Sequence, residues 1–354
     1  MGRAYYKTLA GLALMFFVSC NKEDKAGNSP IPPAGDKVFI VCEGSYGNGN
    51  ASLSIYFPEK DSVFTDVYKA VNHNTLGDVF QSITAIGNRY YLTVNNSDKI
   101  VVLNKDLTLF SQISVSKARY IVPVNEHKAY VSSLYNNKVF VLDAVNATIV
   151  KSIELSAVNT EGMLVDGNHV YVCPWDTASD KVYVINCEQD EVVDSFIVAG
   201  RAPSEALMDK DKKLWILSGN NAKGKRSYWT KIDPFTRQVL KTYAFDPDVD
   251  PVKPVMNKTK DSIYFIEVNQ KSGSEHNGIY RMSVYEDGLP ANPLIPAQSG
   301  QYFWALGIHP NGDIYVGDPK GFIQKSSVII FDRKGVLKKQ FSVGVGVGRF
   351  YFSD

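Results

Sequence analysis

The chain has 354 residues, a formal net charge of +1, an apolar content of 44% and an aromatic content of 12%. The near-neutral charge excludes the usual basis of nucleic-acid binding, because a phosphate backbone requires a basic surface. The length suits two ordinary domains or one large all-β domain, and the 20 tyrosines and 18 phenylalanines favour strands over helices.

The first 20 residues predict an export signal. Basic residues precede an apolar run, Leu9 to Val18, which is too short for a stable membrane-spanning helix. The "FVSC" that ends it resembles a bacterial lipobox, with Phe17 in place of the usual leucine. We therefore expect residues 1–20 to contain a signal peptide and a lipidated Cys20. An ordinary signal peptide with an incidental cysteine is the alternative.

Residues 21–36 predict a flexible tether, because they are rich in Ser, Pro and Gly and have no core pattern. The acidic pair Glu23-Asp24 resembles the signal that sends some Gram-negative lipoproteins to the outer cell surface. We therefore expect an exported outer-membrane lipoprotein that faces the extracellular side, with several lipid chains to make the anchor stable. The remaining residues, 37–354, form the predicted folded domain.

Three cysteines fall within this domain, at Cys42, Cys173 and Cys187. Cys173 and Cys187 lie on two arms of one predicted hairpin, about six residues out of register. At about 3.4 Å per residue they are roughly 20 Å apart, too far for a disulfide. We expect three free, mostly buried thiols.

A repeated unit of about 35 to 50 residues runs through the domain. The stretch "VYVCPWDTASDKVYVINCEQDEVVDSFIVAGRAPSEALMDKDKKLWIL", residues 170–217, contains four alternating strands separated by polar turns, after which the cycle restarts at "LWIL". The same order recurs from Tyr90 and from Ala129, and more loosely three times further along. Period-2 alternation with this spacing predicts four-stranded propeller blades, whose strands we call A (innermost) to D (outermost).

Six A strands precede the end of the chain, in "SITAIG", "RYIVPV", "GMLVDG", "SEALMD", "VKPVMN" and "FWALGIHP". The first blade has candidates for B, C and D but none for A, while the strand-like "GRFYF" at residues 348–352 has no following partner. An unpaired strand is unfavourable, so we expect this strand to complete the first blade. The prediction is an all-β, seven-bladed β-propeller whose ring is closed by its C-terminal strand.

The segments "YVSSLYNNKVFVLDAVNATIVKSIEL" and "YVCPWDTASDKVYVINCEQDEVVDSFIVAGRAPSEAL" resemble the YVTN-type repeat of YncE-like β-propellers. The resemblance covers roughly residues 37–354 and is closest in the third and fourth blades. Lipoproteins of this kind are similar to surface proteins that capture cobalamin for TonB-dependent transporters. The resemblance therefore implies a corrinoid ligand and such a transporter as partner.

Propeller topology places the B–C and D–A connections on one side of the ring, which we call the loop face. These connections are long and rich in aromatic residues, whereas the A–B and C–D turns are short and polar. Aromatic residues among Asn, Ser and Gly favour ligand contact, although packing between blades is the alternative for each of them. The candidate ligand-binding residues are Tyr46, Phe80, Arg119, Tyr135, Trp175, Arg201, Tyr228, Trp229, Tyr302, Trp304 and Phe322.

The sequence gives no strong sign of catalysis, so we expect no catalytic residues and no cofactor. Glu161 and Glu205 occupy comparable positions at or just before neighbouring A strands and are weak candidates for Ca²⁺ binding or acid–base chemistry. In the alternative interpretation they accept hydrogen bonds from Arg119 or Arg201. We expect a non-enzymatic surface lipoprotein that captures a small-molecule ligand. The alternatives are a protein-interaction or adhesion propeller and a metal-dependent, lactonase-like hydrolase.

Overall fold

The computed structural model describes residues 35–269 and 277–353. Within those residues the chain forms seven four-stranded antiparallel sheets, each with its strands in sequence order apart from one that joins the two ends of the chain. This arrangement confirms the predicted seven-bladed propeller. The predicted signal peptide, Cys20 and nearly all of the tether lie outside the described residues.

The first blade contains β1 (Lys37–Cys42), β2 (Ser52–Phe57) and β3 (Ser62–Phe64). The second blade contains β4 (Phe80–Ile86), β5 (Arg89–Val94), β6 (Lys99–Asn104) and β7 (Leu109–Ser114). The third blade contains β8 (Ala118–Pro123), β9 (Lys128–Ser133), β10 (Lys138–Asp143) and β11 (Thr148–Glu154). The fourth blade contains β12 (Thr160–Asp166), β13 (His169–Pro174), β14 (Lys181–Asn186) and β15 (Glu191–Ile197).

The fifth blade contains β16 (Pro203–Met208), β17 (Leu214–Asn220), β18 (Lys225–Ile232) and β19 (Val239–Ala244). The sixth contains β20 (Val249–Met256), β21 (Ser262–Asn269), β22 (Gly278–Ser283) and β23 (Ile295–Pro296). The seventh contains β24 (Ala305–Ile308), β25 (Ile314–Asp318), β26 (Lys325–Phe331) and β27 (Leu337–Val345), after which β28 (Val347–Ser353) returns to the first blade. The helical segments are α1 (Val67–Asn72) and the 3₁₀ turns Asn95–Ser97, Asn221–Lys223 and Lys320–Phe322.

The C-terminal strand closes the ring as predicted. β28 pairs antiparallel with β1, from Ser353 opposite Lys37 to Val347 opposite Cys42. Val347 and Phe350 are buried in the core shared with the seventh blade. Closure therefore provides hydrogen-bond partners for the backbone N–H and C=O groups on the inner edge of β1, which would otherwise be unpaired.

The hydrophobic core lies between neighbouring blades. Phe39 of β1 packs on Tyr90 of β5 with ring centroids 4.8 Å apart, and both side chains are buried. Trp229 of β18 likewise packs edge-on against Phe265 of β21 at 6.4 Å. Truncating a buried aromatic side chain typically costs about 3–5 kcal/mol, so each blade depends strongly on the next one.

The connection between the first and second blades contains α1, which the sequence analysis did not predict. Val67 and Tyr68 of this helix are buried in the core between those blades. The helix has only six residues. A helix of that length is too short to display a helical hydrophobic period in the sequence, which explains why it was missed.

The three cysteines of the described residues are free and buried, as predicted. Burial raises the pKa of the Cys42 thiol to about 11, and it raises that of Cys173 as well. The ring is thus held by packing and strand pairing without covalent links among these thiols. Across residues 35–269 and 277–353, none of the helices has the length and apolar character needed to cross a membrane.

Candidate ligand-binding site at the channel mouth

Six of the seven A strands carry a β-bulge, where two residues face one on the neighbouring strand. The register shifts fall at residues 80–82, 118–121, 160–163, 203–205, 252–255 and 347–349. Bulges re-aim side chains, and these bulges, together with the residue before β24, line the centre of the ring. The seven residues, which we call the channel ring, are Gln81, Arg119, Glu161, Glu205, Lys253, Trp304 and Arg349.

Arg119 holds one side of the channel ring together. Its Nε lies 2.8 Å from one carboxylate oxygen of Glu161 and a terminal nitrogen lies 2.5 Å from the other, while a further nitrogen donates to Gln81 Oε1 at 2.5 Å. Burial disfavours the charged guanidinium, but Glu161, Tyr120 and Glu43 together outweigh burial and raise the pKa of Arg119. Bidentate, charge-assisted hydrogen bonds of this kind fix both side chains. Glu161 is therefore engaged by Arg119, as in the alternative interpretation of the sequence.

A second cluster lies across the ring, around Glu43 at the end of β1. The indole Nε1 of Trp304 donates to Glu43 Oε1 at 3.0 Å, and Lys253 Nζ lies 3.9 Å from the same oxygen. The ammonium group also lies 4.9 Å from the centre of the Trp304 ring, within range of a cation–π interaction. Burial lowers the pKa of Lys253, because the charged form is only partly compensated by Glu43.

Glu205 and Arg349 complete the charged groups of the ring. A Cβ atom on Gly162 would lie 2.4 Å from the carbonyl oxygen of Ser204, so the fourth and fifth A strands approach too closely for any larger residue there. Burial raises the pKa of Glu205, an effect that Arg349 partly opposes. The Arg349 guanidinium lies 4.4 Å from the ring centre of Tyr120, whose pKa burial raises to about 12.

A cavity of about 140 Å³ opens above the channel ring on the loop face. Trp175 and Trp304 form aromatic walls, and Arg119, Glu161 and Asp250 bring charged groups to its edge. Trp175 is fixed by a hydrogen bond from its indole Nε1 to the Gly219 carbonyl at 3.3 Å. The mouth therefore offers stacking surfaces and hydrogen-bonding groups of both signs.

The structure brings only some of the candidate residues to this mouth. Arg119, Trp175 and Trp304 line the cavity together with the two weak metal candidates, Glu161 and Glu205.

Two further candidates extend the aromatic surface beside Trp304. Tyr302 stacks on it with centroids 6.0 Å apart, and Phe322 meets it edge-on at 6.0 Å. These aromatic side chains form a continuous wall from the mouth onto the loop face.

Three candidates lie on connections away from the mouth cavity. Tyr46 and Tyr135 are 80% and 76% exposed on B–C loops of different blades. Arg201 is also exposed, and it donates to the Ala178 carbonyl at 2.6 Å and forms an ion pair with Asp180. None of the three lines the mouth cavity.

The remaining three candidates belong to strands and pack between elements. Phe80 and Trp229 are fully buried in the inter-blade cores, so assigning them to a ligand surface was wrong. Tyr228 is half-buried beneath the corner at Gly200, whose φ of +75° and close contact with the Tyr228 ring both require glycine. The sequence analysis placed all three on loop-face connections, but β4 begins at Phe80 and β18 begins at Lys225, before Tyr228 and Trp229.

Sequence reasoning did not single out Lys253, Asp250 or Arg349. A signal for two of them exists in the repeat, because Lys253 and Arg349 occupy the same level of their A strands as Arg119 and Glu161. Aligning the A strands with the C-terminal strand included would have revealed this polar position. No such repeat signal marks Asp250.

The described residues contain no cluster of three or more His, Cys, Asp or Glu side chains arranged to hold a metal ion. Glu161 and Glu205 are adjacent in the channel ring, but Glu161 is bonded to Arg119. The pair therefore lacks a third acidic ligand among the described residues.

Fold and site together define the class: a seven-bladed β-propeller with a charged, aromatic-walled mouth at one end of its channel. A family model described as "Domain of unknown function (DUF5074)" matches residues 36–338, and the chain belongs to this family. A search of curated proteins found no significant match.

Several solved structures share the fold. A quinoprotein alcohol dehydrogenase-like protein from Bacteroides thetaiotaomicron has a TM-score of 0.67 and 18% identity, over 90% of this chain and 79% of that one. The periplasmic gluconolactonase of Pseudomonas aeruginosa has a TM-score of 0.65 and 13% identity, over 90% and 99%. The hydrazine synthase of Kuenenia stuttgartiensis has a TM-score of 0.60 and 15% identity, over 75% and 87%. At these identities the likeness shows the propeller fold alone.

Proposed function

We propose that this protein is a non-enzymatic binding protein that captures a ligand at the channel mouth while tethered to the outer cell surface. The observation that carries the proposal is the composition of the mouth cavity, where Trp175 and Trp304 stand beside the Arg119–Glu161 ion pair. Aromatic faces with a few fixed polar groups are typical of small-molecule sites. The ion pair positions hydrogen-bonding groups without exposing a free nucleophile.

The size of the mouth suggests how a ligand would bind. A cavity of about 140 Å³ holds one small arm of a ligand rather than a whole large molecule. The body of the ligand would then rest on the loop face, against Tyr302 and Phe322. A corrinoid, the ligand implied by the resemblance to cobalamin-capturing propellers, has a flat ring and amide arms that suit this arrangement.

The exposed side chains of the loop face support a protein partner on the same side. Tyr46, Tyr135 and Ile323 are each more than three-quarters exposed to solvent. Large aromatic and apolar side chains exposed in this way are typical of surfaces that contact another protein. We include a TonB-dependent outer-membrane transporter as this partner in the proposal. An adhesion or interaction propeller is the second candidate, favoured by the same three exposed residues.

Calorimetric titration of cyanocobalamin into residues 21–354 tests the ligand. This chain lacks only the predicted signal peptide and lipidated cysteine, and every strand of the ring begins at or after Lys37. We expect saturable heat release, weakened about tenfold or more by Trp304→Ala. Phe235→Ala, an exposed aromatic change on a C–D turn of the opposite face, is the matched control and should leave binding unchanged. A silent titration at high micromolar ligand removes the corrinoid from the proposal.

Tryptophan fluorescence tests capture of other ligands. Trp215 and Trp229 are fully buried, so acrylamide quenching reports mainly Trp175 and Trp304 at the mouth. A captured ligand should protect these two residues from quenching. Calcium-dependent hydrolysis of a lactone by the purified protein would instead contradict the non-enzymatic proposal.

A further inference from the structure

The opposite end of the channel contains a larger cavity, which we call the lower cavity. Its volume is about 380 Å³, within the range of about 300–1,000 Å³ typical of ligand pockets. It lies below the channel ring, toward the A–B turns, and it is formed by A strands of several blades. Apolar side chains line part of its walls, namely Leu207, Val255, Met256, Ile308, Phe350 and Phe352, and polar groups line the rest.

The end of the lower cavity next to the channel ring is charged. Glu205, Lys253 and Arg349 of the channel ring line it, so two basic groups face one carboxylate. The Nε of Arg349 is buried and has no hydrogen-bond partner among the described residues. Other atoms of Arg349 line the cavity, and its guanidinium favours a ligand that brings a negatively charged acceptor.

We propose that the lower cavity binds an amphipathic organic anion, such as a medium-chain carboxylate, with its head toward Arg349 and Lys253 and its chain along the apolar walls. The apolar side chains of the walls favour a ligand that carries an apolar chain. A neutral apolar ligand would leave the two basic groups with Glu205 as the one opposite charge in the lining, and a cation would face two like charges. Charge-assisted hydrogen bonds to carboxylates are the strongest that a guanidinium makes.

This site is distinct from the mouth. The two cavities share only Glu205 and Lys253, and the aromatic walls of the mouth, Trp175 and Trp304, do not line the lower cavity. The proposal therefore goes beyond ligand capture at the mouth and does not depend on it.

Decanoate is the probe, titrated calorimetrically into residues 21–354, with decanol as the uncharged probe of equal chain length. We expect saturable binding of decanoate, with decanol at least about tenfold weaker. Arg349→Met should weaken decanoate about tenfold without changing decanol, because it removes the charge and keeps a linear apolar side chain. Arg281→Met, on an exposed position of β22, is the matched control and should leave both affinities unchanged.

Met256→Trp provides an independent variant, since Arg349 also contacts Tyr120 and its replacement could impair folding. The larger indole narrows the cavity beside its apolar side chains and should weaken decanoate binding about tenfold, while thermal unfolding confirms that the variant is folded. Equal affinity for decanoate and decanol overturns the proposal, as does a decanoate affinity that is unchanged in folded Met256→Trp. Binding by residues 37–354 but not by residues 21–354 also overturns it, because the tether would then be the occupant.

Discussion

Replacing Glu267 by glutamine tests the electrostatics of a third cavity, on the outer side of the sixth blade. Glu267 lies on β21 between Pro251 and Gly278 of the adjacent strands, and only 8% of it is exposed. The cavity beside it has a volume of about 470 Å³ and also contains Asp246. Burial raises the pKa of Glu267 from 4.5 to about 7, with a hydrogen bond to Tyr280 opposing the shift and Asp246 adding to it.

The raised pKa predicts a loss of stability as the pH rises. Below pH 4.5 the Glu267 carboxyl is protonated in both the folded and the unfolded chain, so its ionisation does not lower the free energy of unfolding there. Between pH 4.5 and about 7 the unfolded chain releases the proton while the folded chain retains it, and the free energy of unfolding falls. The pKa of Glu267 is about 2.5 units higher in the folded chain than in the unfolded chain, and each unit corresponds to about 1.4 kcal/mol. Above pH 7 the free energy of unfolding is therefore lower by roughly 3.5 kcal/mol than below pH 4.5.

Urea denaturation of the wild type and Glu267→Gln at pH 5, 6, 7 and 8 measures this effect. Glutamine keeps an acceptor for Tyr280 and cannot ionise, so the variant should gain stability relative to the wild type as the pH rises, reaching about 3 kcal/mol at pH 8. Glu191→Gln, on an exposed position of β15, should show no such trend. A difference in the free energy of unfolding between Glu267→Gln and the wild type that is the same at every pH would refute the reasoning.

Two further predictions concern the ring and its centre. Deleting residues 346–354 removes β28 and should abolish the cooperative unfolding transition seen by circular dichroism, because β1 loses its inner partner; removing the last residue alone should not. A truncated chain that melts close to the full-length temperature contradicts this prediction. Glu161→Gln leaves Arg119 without its carboxylate and should lower the free energy of unfolding by about 3–5 kcal/mol in urea. The exposed pair of Glu154 and Lys138 provides the control, since Glu154→Gln should lower the free energy of unfolding by at most about 1 kcal/mol. Equal losses in Glu161→Gln and Glu154→Gln would contradict the prediction for the buried pair.

The fold was predictable because each blade repeats the same local pattern. Period-2 alternation marks the strands, and turn residues separate them, so counting units gives the number of blades. The C-terminal strand was assigned to the first blade because an unpaired strand needs a hydrogen-bonding partner, and not because of its own residue pattern. Its pairing with β1 confirms that reasoning.

The site was only partly predictable, because the boundary between strand and loop decides which way a side chain points. Phe80 is the first residue of β4, and Trp229 lies inside β18, so both face neighbouring blades. A one-residue difference in position reverses the face of a strand residue. In contrast, the sequence offered Arg119 as a donor to Glu161 because it occupies a nearby D–A corner, and the structure contains that pair.

The charges at the centre of the ring call for a reason other than stability. Removing charged groups from water is costly, and well-packed apolar residues often stabilise a core equally well or better. Together with Glu43, the channel ring sets three carboxylates against three basic side chains, between two cavities. An apolar centre would offer a ligand no hydrogen bonds at either end of the channel. This centre offers groups of both signs at both ends, which favours binding as its role, and the titrations of cyanocobalamin and decanoate examine the two ends separately.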